Sequence, residues 1–205
     1  TTTIPAATLN SLNTKVTGTL TTSATTIPGT YSAINDVITA MNASEITGLG
    51  SANFTVSGSI TSAEANVIDA ITTGTVTATI STTAIGDLDD LTGTGNAYTI
   101  TVATVDVTAA ALNTVNAATT VNVTATDVTQ ITGTASQLAT TYGGGITGLG
   151  NEAITVSDTS ITSTQANTID AYTTGAVSAT ISTTSIADLD DLTGTGNAYT
   201  ITVAT

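Results

Sequence analysis

The stretch Leu88-Asp-Asp-Leu-Thr-Gly-Thr-Gly-Asn-Ala-Tyr-Thr-Ile-Thr-Val-Ala-Thr104 occurs twice in this chain, because it returns without a change as residues 189–205. The likeness extends upstream: residues 46–104 align with residues 146–205 after one inserted residue near Asp158. A copy of this length inside one chain indicates tandem duplication. We therefore predict two repeat units, 1–103 and 104–205, the second continuous with the first.

Each predicted unit divides again into four shorter segments, which we interpret as coils. A β-branched residue recurs at intervals of 21 to 33 residues, at Ile4, Ile27, Ile60, Ile85, Val107, Val128, Ile161 and Ile186. The pattern starts and stops partway through a unit, so we expect this chain to be a segment of a longer array.

Two kinds of local pattern alternate within each coil. In residues 61–70 the apolar side chains stand three and four apart, which predicts one or two helical turns after an N-cap at Thr61. In residues 75–80 apolar residues alternate with Thr, which predicts a strand with one buried face. The same alternation elsewhere predicts a core lined by Val76, Ala78, Ile80, Ile100, Val102, Val121 and Val123.

These patterns predict a mainly β fold, a parallel, right-handed β-solenoid of about eight coils with short helical turns on one side. One strand and one helical turn per coil cannot bury a core alone, whereas stacked coils can. The alternative is a series of tandem β-sandwich repeats of the adhesin type. The unequal coil lengths and the helix-like segments disfavour that alternative.

Composition excludes several classes of partner. The chain has 55 Thr, 15 acidic residues and one basic residue, Lys15, and its formal net charge is −14. We expect no nucleic-acid binding, because a chain with a single cation cannot neutralise phosphates. No run of about 18 apolar residues is present, so we expect no transmembrane segment.

Two segments of the sequence are similar to sequences of a known group of proteins. They are Ile146-Thr-Gly-Leu-Gly-Asn-Glu-Ala-Ile-Thr-Val-Ser-Asp158 and Ile131-Thr-Gly-Thr-Ala-Ser-Gln-Leu-Ala-Thr-Thr-Tyr142. Together they resemble the tandem repeats of giant cell-surface proteins of marine cyanobacteria. The resemblance implies an extracellular location and a structural role, and it transfers no catalytic residue.

An acidic cluster is the strongest candidate for a binding site. Asp87, Asp89 and Asp90 stand close together, and Asp188, Asp190 and Asp191 repeat them. Carboxylates beside Gly93, Gly95 and Asn96 could supply oxygen ligands to a calcium ion. The alternative is a solvated acidic face near a helix N-terminus, where negative charge is favourable. The spacing matches neither an EF-hand nor the nonapeptide calcium repeat.

Enzymatic activity is not expected, because the chain has no His to act as a base and no Cys nucleophile. Two functional hypotheses follow. The first is a structural repeat of an extracellular surface protein that forms a stiff rod, fibre or surface layer by coil stacking and end-to-end self-association. The second is the stalk or binding module of an adhesin that recognises calcium, glycan or another surface.

Overall fold

The computed structural model describes residues 2–203 of the chain. Within this range lie eight helices: α1 (Ala6–Asn13), α2 (Tyr31–Asn42), α3 (Ser62–Asp69), α4 (Ile85–Leu88), α5 (Ala109–Ala117), α6 (Ala135–Gly143), α7 (Ser163–Asp170) and α8 (Ile186–Asp190). The first strands are β1 (Leu20–Thr21), β2 (Thr26–Gly29), β3 (Ile46–Thr47), β4 (Asn53–Ile60), β5 (Val76–Ile80) and β6 (Ala97–Thr99). They are followed by β7 (Asp106–Thr108), β8 (Val123–Thr124), β9 (Gln130–Gly133), β10 (Ile146–Thr147), β11 (Ala153–Val156), β12 (Val177–Ile181) and β13 (Ala198–Ile201).

The prediction of a mainly β solenoid is wrong. Helices account for 31% of the chain and strands for 26%, so the fold is mixed α/β. The named strands of residues 2–203 form four separate small sheets of two to five strands, not eight stacked coils. The alternative of tandem β-sandwiches is also wrong, because every strand pair in these sheets is parallel.

The error arose because helices recur throughout residues 2–203 and three of them, α2, α5 and α6, are longer than the one or two turns that the sequence predicted. In α2 the apolar residues Ile34, Val37 and Ile38 form one buried face at helical spacing. A Thr within such a helix satisfies its hydroxyl locally: Thr39 Oγ1 donates to the carbonyl of Asn35 at 2.9 Å. The same i to i−4 bond occurs in α5, α6 and α7, through Thr114, Thr140 and Thr168. Abundant Thr is therefore compatible with helix here.

The described chain divides into two compact units, because most contacts between residues fall within one unit or the other. The first unit comprises residues 2–83, 90–101 and 117–121, and the second comprises residues 84–89, 102–116 and 122–203. The first contains a four-stranded sheet in the order β2-β4-β5-β6 and the pair β1-β3. The second contains a five-stranded sheet in the order β13-β12-β11-β9-β7 and the pair β10-β8.

In the core of each unit, buried residues of neighbouring parallel strands lie side by side. In the first unit Ile27 pairs with Phe54, and Phe54 pairs with Val76, so that three fully buried side chains adjoin on one face. In the second unit the adjoining buried row is Val107, Ile131, Ile154 and Val177. The outward positions between them are mostly Thr, which suits a water-facing strand surface.

The predicted core residues are buried with one exception. Val76, Ala78, Ile80, Ile100, Val102 and Val123 are all buried. Val121 is 39% exposed, because it precedes β8 in a bend and does not share the alternation of Val123 and Ala125. That part of the core prediction is wrong.

The longest helix, α2, has 12 residues. Among residues 2–203, no helix combines the length and the apolar character that a membrane crossing needs.

Candidate functional site

The six acidic residues singled out from the sequence lie on two short helices and the turns that follow them. Asp87 is in the first turn of α4 and Asp188 is in the first turn of α8, where a carboxylate favours the helix N-terminus. Asp89 and Asp191 are the C-terminal caps of these helices. Asp89 is half-buried, whereas Asp87, Asp90, Asp188, Asp190 and Asp191 are exposed to solvent.

The structure does not gather these carboxylates into a metal centre. In residues 2–203, no group of three acidic side chains has an arrangement that could hold a metal ion. Calcium binding through these Asp residues therefore stays a prediction.

Asn96, which stands beside the predicted calcium-binding carboxylates in the sequence, has both of its side-chain polar atoms engaged. Its Nδ2 donates to Asp69 Oδ1 at 2.7 Å, and its Oδ1 accepts from the Val76 backbone N–H at 2.8 Å. The side chain is 1% exposed. The second unit repeats this arrangement with Asn197, Asp170 and the Val177 N–H.

Gly93 is explained by the same buried pair. A Cβ at Gly93 would collide with the side chains of Asn96 and Asp69, and one at Gly194 would collide with Asn197 and Asp170. Glycine is therefore required here because the backbone approaches this pair of side chains closely.

The turn after α4 is held by an asparagine from α3. Asn66 Nδ2 donates to the carbonyl of Asp90 at 2.9 Å, and its Oδ1 accepts from the Thr92 N–H at 3.1 Å. In the second unit Asn167 makes the same two bonds to Asp191 and Thr193, at 2.8 and 3.0 Å. In each copy, one amide side chain thus fixes the backbone of the acidic segment.

A buried carboxylate that the sequence analysis did not single out lies in the second unit. Glu152 is 1% exposed, and its Oε2 accepts from the backbone N–H groups of Gly150 and Asn151 at 2.7 and 3.0 Å. Its Oε1 accepts from the hydroxyl of Tyr142. Tyr142 stacks on Tyr172 with ring centroids 4.6 Å apart. Tyr142, Gly150 and Asn151 all donate hydrogen bonds to Glu152, so its charge is compensated without a cation.

Burial raises the pKa of Tyr142 well above its ordinary range, and the hydrogen bond to Glu152 and the Glu152 charge raise it further. Tyr142 therefore stays protonated and donates to Glu152 at any ordinary pH.

A comparison of the two repeats could have revealed this cluster. Glu152 and Tyr172 are among the positions at which the repeats differ, because Ala52 and Ile71 stand there in the first repeat. A carboxylate and an aromatic ring that only one repeat carries were the available signal for this cluster.

Asp89 also lines an open groove in the second unit. The groove has a volume of about 390 Å³, and its polar lining includes Asp106, Thr108, Gln130 and Thr132. Two carboxylates on an open surface favour cations over anions, but water screens them strongly. Asp106 was not predicted as a site residue, because it is 17 positions from Asp89 and only the fold brings the two to one groove.

Tyr98 is the one buried side chain among residues 2–203 whose polar atom has no hydrogen-bond partner. Its ring is fully buried, and burial raises the pKa of its hydroxyl far above the ordinary value, with a further contribution from the charge of Asp69. The counterpart hydroxyl of Tyr199 is 3.1 Å from Asn197 Nδ2, which donates to it.

Comparisons with protein-family models, with curated proteins and with solved structures give no significant match to this chain.

Proposed function

We propose that this chain is a structural repeat segment of an extracellular bacterial surface protein, which contributes to a surface layer or a comparable assembly by self-association. The observation that carries the proposal is that the two repeats build the same framework from the same polar side chains. Asn66, Asp69 and Asn96 make the same bonds as Asn167, Asp170 and Asn197.

The polar side chains of this framework form hydrogen bonds within the protein. Thr61 and Glu64 form a capping box at the start of α3, and Thr162 and Gln165 form one at the start of α7. Thr72 and Thr173 each donate to a backbone carbonyl of the neighbouring turn at 2.6 Å. Such groups are satisfied without a ligand, which fits a structural role better than a catalytic one.

Composition and the resemblance to cyanobacterial surface proteins support the extracellular part of the proposal. A net charge of −14 with a single Lys keeps copies soluble and suits an exposed, hydrated surface. The phrase Ile146–Gly150, which carries part of the resemblance, forms β10 and the turn after it, in which Gly148 has a φ of 89°.

The location is tested by immunogold electron microscopy on intact and permeabilised cells that produce the protein. We expect antibodies against this chain to label the outer surface of intact cells, and external protease to remove the label. Labelling that appears only after permeabilisation would exclude a surface role. A cytoplasmic marker protein, labelled in the same grids, controls for leakage.

A binding stalk is the second candidate, and one groove favours it. Between α6 and α7 lies an open groove of about 280 Å³ lined by Tyr172, Gln165, Ser136 and apolar side chains. An accessible aromatic ring beside a few polar groups is typical of small ligand sites. Screening the chain on an immobilised glycan array tests this candidate, with Tyr172→Ala as the matched variant. Binding that Tyr172→Ala abolishes would favour the stalk, and a blank array would remove glycans as its ligand.

A further inference from the structure

Three side chains of the second unit have no part in the polar framework that the two repeats share. They are Tyr142, Glu152 and Tyr172, and we call them the tyrosine cluster. The first unit makes the equivalent turn with Ala52 and Ile71 in place of Glu152 and Tyr172. A buried carboxylate and an aromatic ring are therefore present in one unit and absent from the same turn of the other.

The turn itself is closed in the same way in both units. Thr72 Oγ1 donates to the carbonyl of Ala52 at 2.6 Å, and Thr173 Oγ1 donates to the carbonyl of Glu152 at 2.6 Å. Because the first unit forms this bond without a carboxylate or an aromatic ring, the side chains of the tyrosine cluster are not needed to close the turn.

The two tyrosine rings of the cluster lie in contact and nearly parallel. Their centroids are 4.6 Å apart and their planes differ by 10°. Tyr142 lies in the last turn of α6. Tyr172 follows α7, and its backbone N–H donates to the carbonyl of Ile169 at 3.0 Å. Each ring is thus attached to the end of a helix, and the fold holds the two rings together.

A proton acceptor lies beside the hydroxyl of Tyr142. This hydroxyl donates to Glu152, whose other oxygen is held by the N–H groups of Gly150 and Asn151. Burial raises the pKa of Tyr142, so the hydroxyl keeps its proton at ordinary pH. A protonated phenol loses an electron readily only when a base accepts its proton at the same time. Glu152 is within hydrogen-bond reach of that proton, as a base must be.

Tyr172 makes the cluster accessible from solvent. Its ring lines the open groove of about 280 Å³ between α6 and α7, whereas Glu152 is 1% exposed. An oxidant in the groove therefore meets Tyr172 first, with Tyr142 stacked against it.

We propose that Tyr142 and Tyr172 become joined by a carbon–carbon bond, a dityrosine cross-link, when the folded protein meets a one-electron oxidant such as a haem peroxidase with hydrogen peroxide. Each ring loses one electron to the oxidant. The hydroxyl proton of Tyr142 passes to Glu152, and that of Tyr172 passes to water in the groove. The two phenoxyl radicals then form one bond between ring carbons ortho to their oxygens.

The product keeps both phenols and lacks two hydrogen atoms. Each newly bonded carbon releases its hydrogen to water as a proton, Glu152 returns its proton to the Tyr142 oxygen, and the Tyr172 oxygen takes a proton from water. Two electrons and two protons have then left the protein, and they reduce one hydrogen peroxide to two waters. The bond closes residues 142–172 into a covalent loop, which stabilises the fold by constraining the unfolded chain. This chemistry does not depend on the proposed surface role.

The test is treatment of the whole chain, in dilute solution, with a haem peroxidase and hydrogen peroxide, followed by mass spectrometry. We expect the mass of the intact chain to fall by that of two hydrogen atoms. Cleavage after acidic residues gives peptide 128–152, whose only tyrosine is Tyr142, and peptide 171–188, whose only tyrosine is Tyr172. These two peptides should be linked, and the treated chain should melt at a higher temperature than the untreated chain.

Four variants separate the parts of the proposal. Tyr172→Phe keeps the stacked rings and removes one phenol, so it should fold like the parent and form no link. Glu152→Gln cannot take the proton of Tyr142, and Glu152→Ala carries the residue of the first unit, so both should form the link at least about tenfold more slowly. Tyr31→Phe, in the first unit, is the matched control and should react like the parent. Thermal melts before treatment check that each variant is folded.

An oxidised parent that gains oxygen without losing two hydrogen atoms would overturn the proposal. Linked peptides 128–152 and 171–188 that persist in Tyr172→Phe would also overturn it. Formation of the link in both Glu152 variants at the rate of the parent would overturn the role of Glu152 as the proton acceptor.

Discussion

At the scale of single residues, the buried polar groups show which interactions hold the fold. Asn96 and Glu152 are each 1% exposed and fully engaged, whereas the fully buried hydroxyl of Tyr98 has no partner among residues 2–203. A buried hydrogen bond contributes about 1 kcal/mol net, and a buried polar group left without a partner costs about 1–3 kcal/mol. Removing an engaged polar group should therefore lower the stability of the fold, whereas removing the unpaired hydroxyl should not.

Tyr98→Phe should leave stability unchanged or raise it by about 1 kcal/mol, because it removes an unpaired buried hydroxyl. Tyr142→Phe should instead lower it by about 2 kcal/mol, because it removes a hydrogen bond to a charged carboxylate. Urea unfolding of both variants at neutral pH measures the difference. A destabilised Tyr98→Phe variant would mean that this hydroxyl has a partner.

The raised pKa values of Tyr98 and Tyr142 also predict a loss of stability at alkaline pH. Above about pH 10 the unfolded chain releases these protons while the folded chain keeps them. The stabilisation is thus fully present below pH 10 and falls as pH rises, by about 1.4 kcal/mol per pH unit for each tyrosine. Urea unfolding curves at several pH values between neutral and strongly alkaline give the free energy of unfolding at each pH. This free energy should fall less steeply with pH in Tyr98→Phe than in the parent.

At the scale of elements, the sequence predicted the inward and outward positions better than the kind of element. The alternation in residues 76–80 appears in the structure as a strand with Val76, Ala78 and Ile80 buried. The proportion of helix was underestimated, because Thr was taken as a sign of strand. Its back-bond to the carbonyl four residues earlier, as in Thr39, makes it acceptable within a helix.

Only those parts of the candidate site whose residues are close together in the sequence could be predicted. The Asp residues of α4 and α8 are adjacent in sequence, and their positions near the start and end of short helices follow from local pattern. The pairs Asp69–Asn96 and Tyr142–Glu152 depend on tertiary packing, which spacing along one chain does not encode. For Glu152, the difference from Ala52 in the first repeat was the usable signal.

The strand β8 offers a test of the corrected core assignment. Val123→Asp should destabilise the second unit by several kcal/mol, because it buries an unpaired charge beside Ile146. Val121→Asp should change stability by less than about 0.5 kcal/mol, because that side chain is exposed. Thermal melts of the two variants decide between the assignments. Equal destabilisation by both variants would mean that Val121 is a core residue and that the corrected assignment is wrong.

At the scale of the whole molecule, charge is the dominant property. The net charge of −14 arises from 15 acidic residues and one Lys, so self-repulsion opposes the compact state. Any cation that screens this repulsion should stabilise the protein. Specific calcium binding must be separated from that general effect.

If calcium binds at Asp87, Asp89 and Asp90, and at Asp188, Asp190 and Asp191, it should raise the melting temperature even in about 1 M sodium chloride, where the Debye length is about 3 Å. Changing all six residues to Asn should abolish the increase. Changing only Asp188, Asp190 and Asp191 to Asn should abolish the contribution of the second site. Changing Asp36 and Asp127 to Asn and Glu45 to Gln removes the same number of exposed charges elsewhere and is the matched control. An equal effect of magnesium or sodium would show that screening alone acts.

The account depends most on the claim that the two repeats build the same polar framework, in which Asn96 and Asn197 each accept a backbone N–H, from Val76 and Val177. Amide hydrogen exchange, followed by NMR, measures this directly at the N–H groups of Val76 and Val177. We predict that both amides are protected, that Asn96→Ala makes exchange at Val76 at least about tenfold faster, and that Asn197→Ala does the same at Val177. Exchange at these two amides that the Asn→Ala variants leave unchanged would contradict the account.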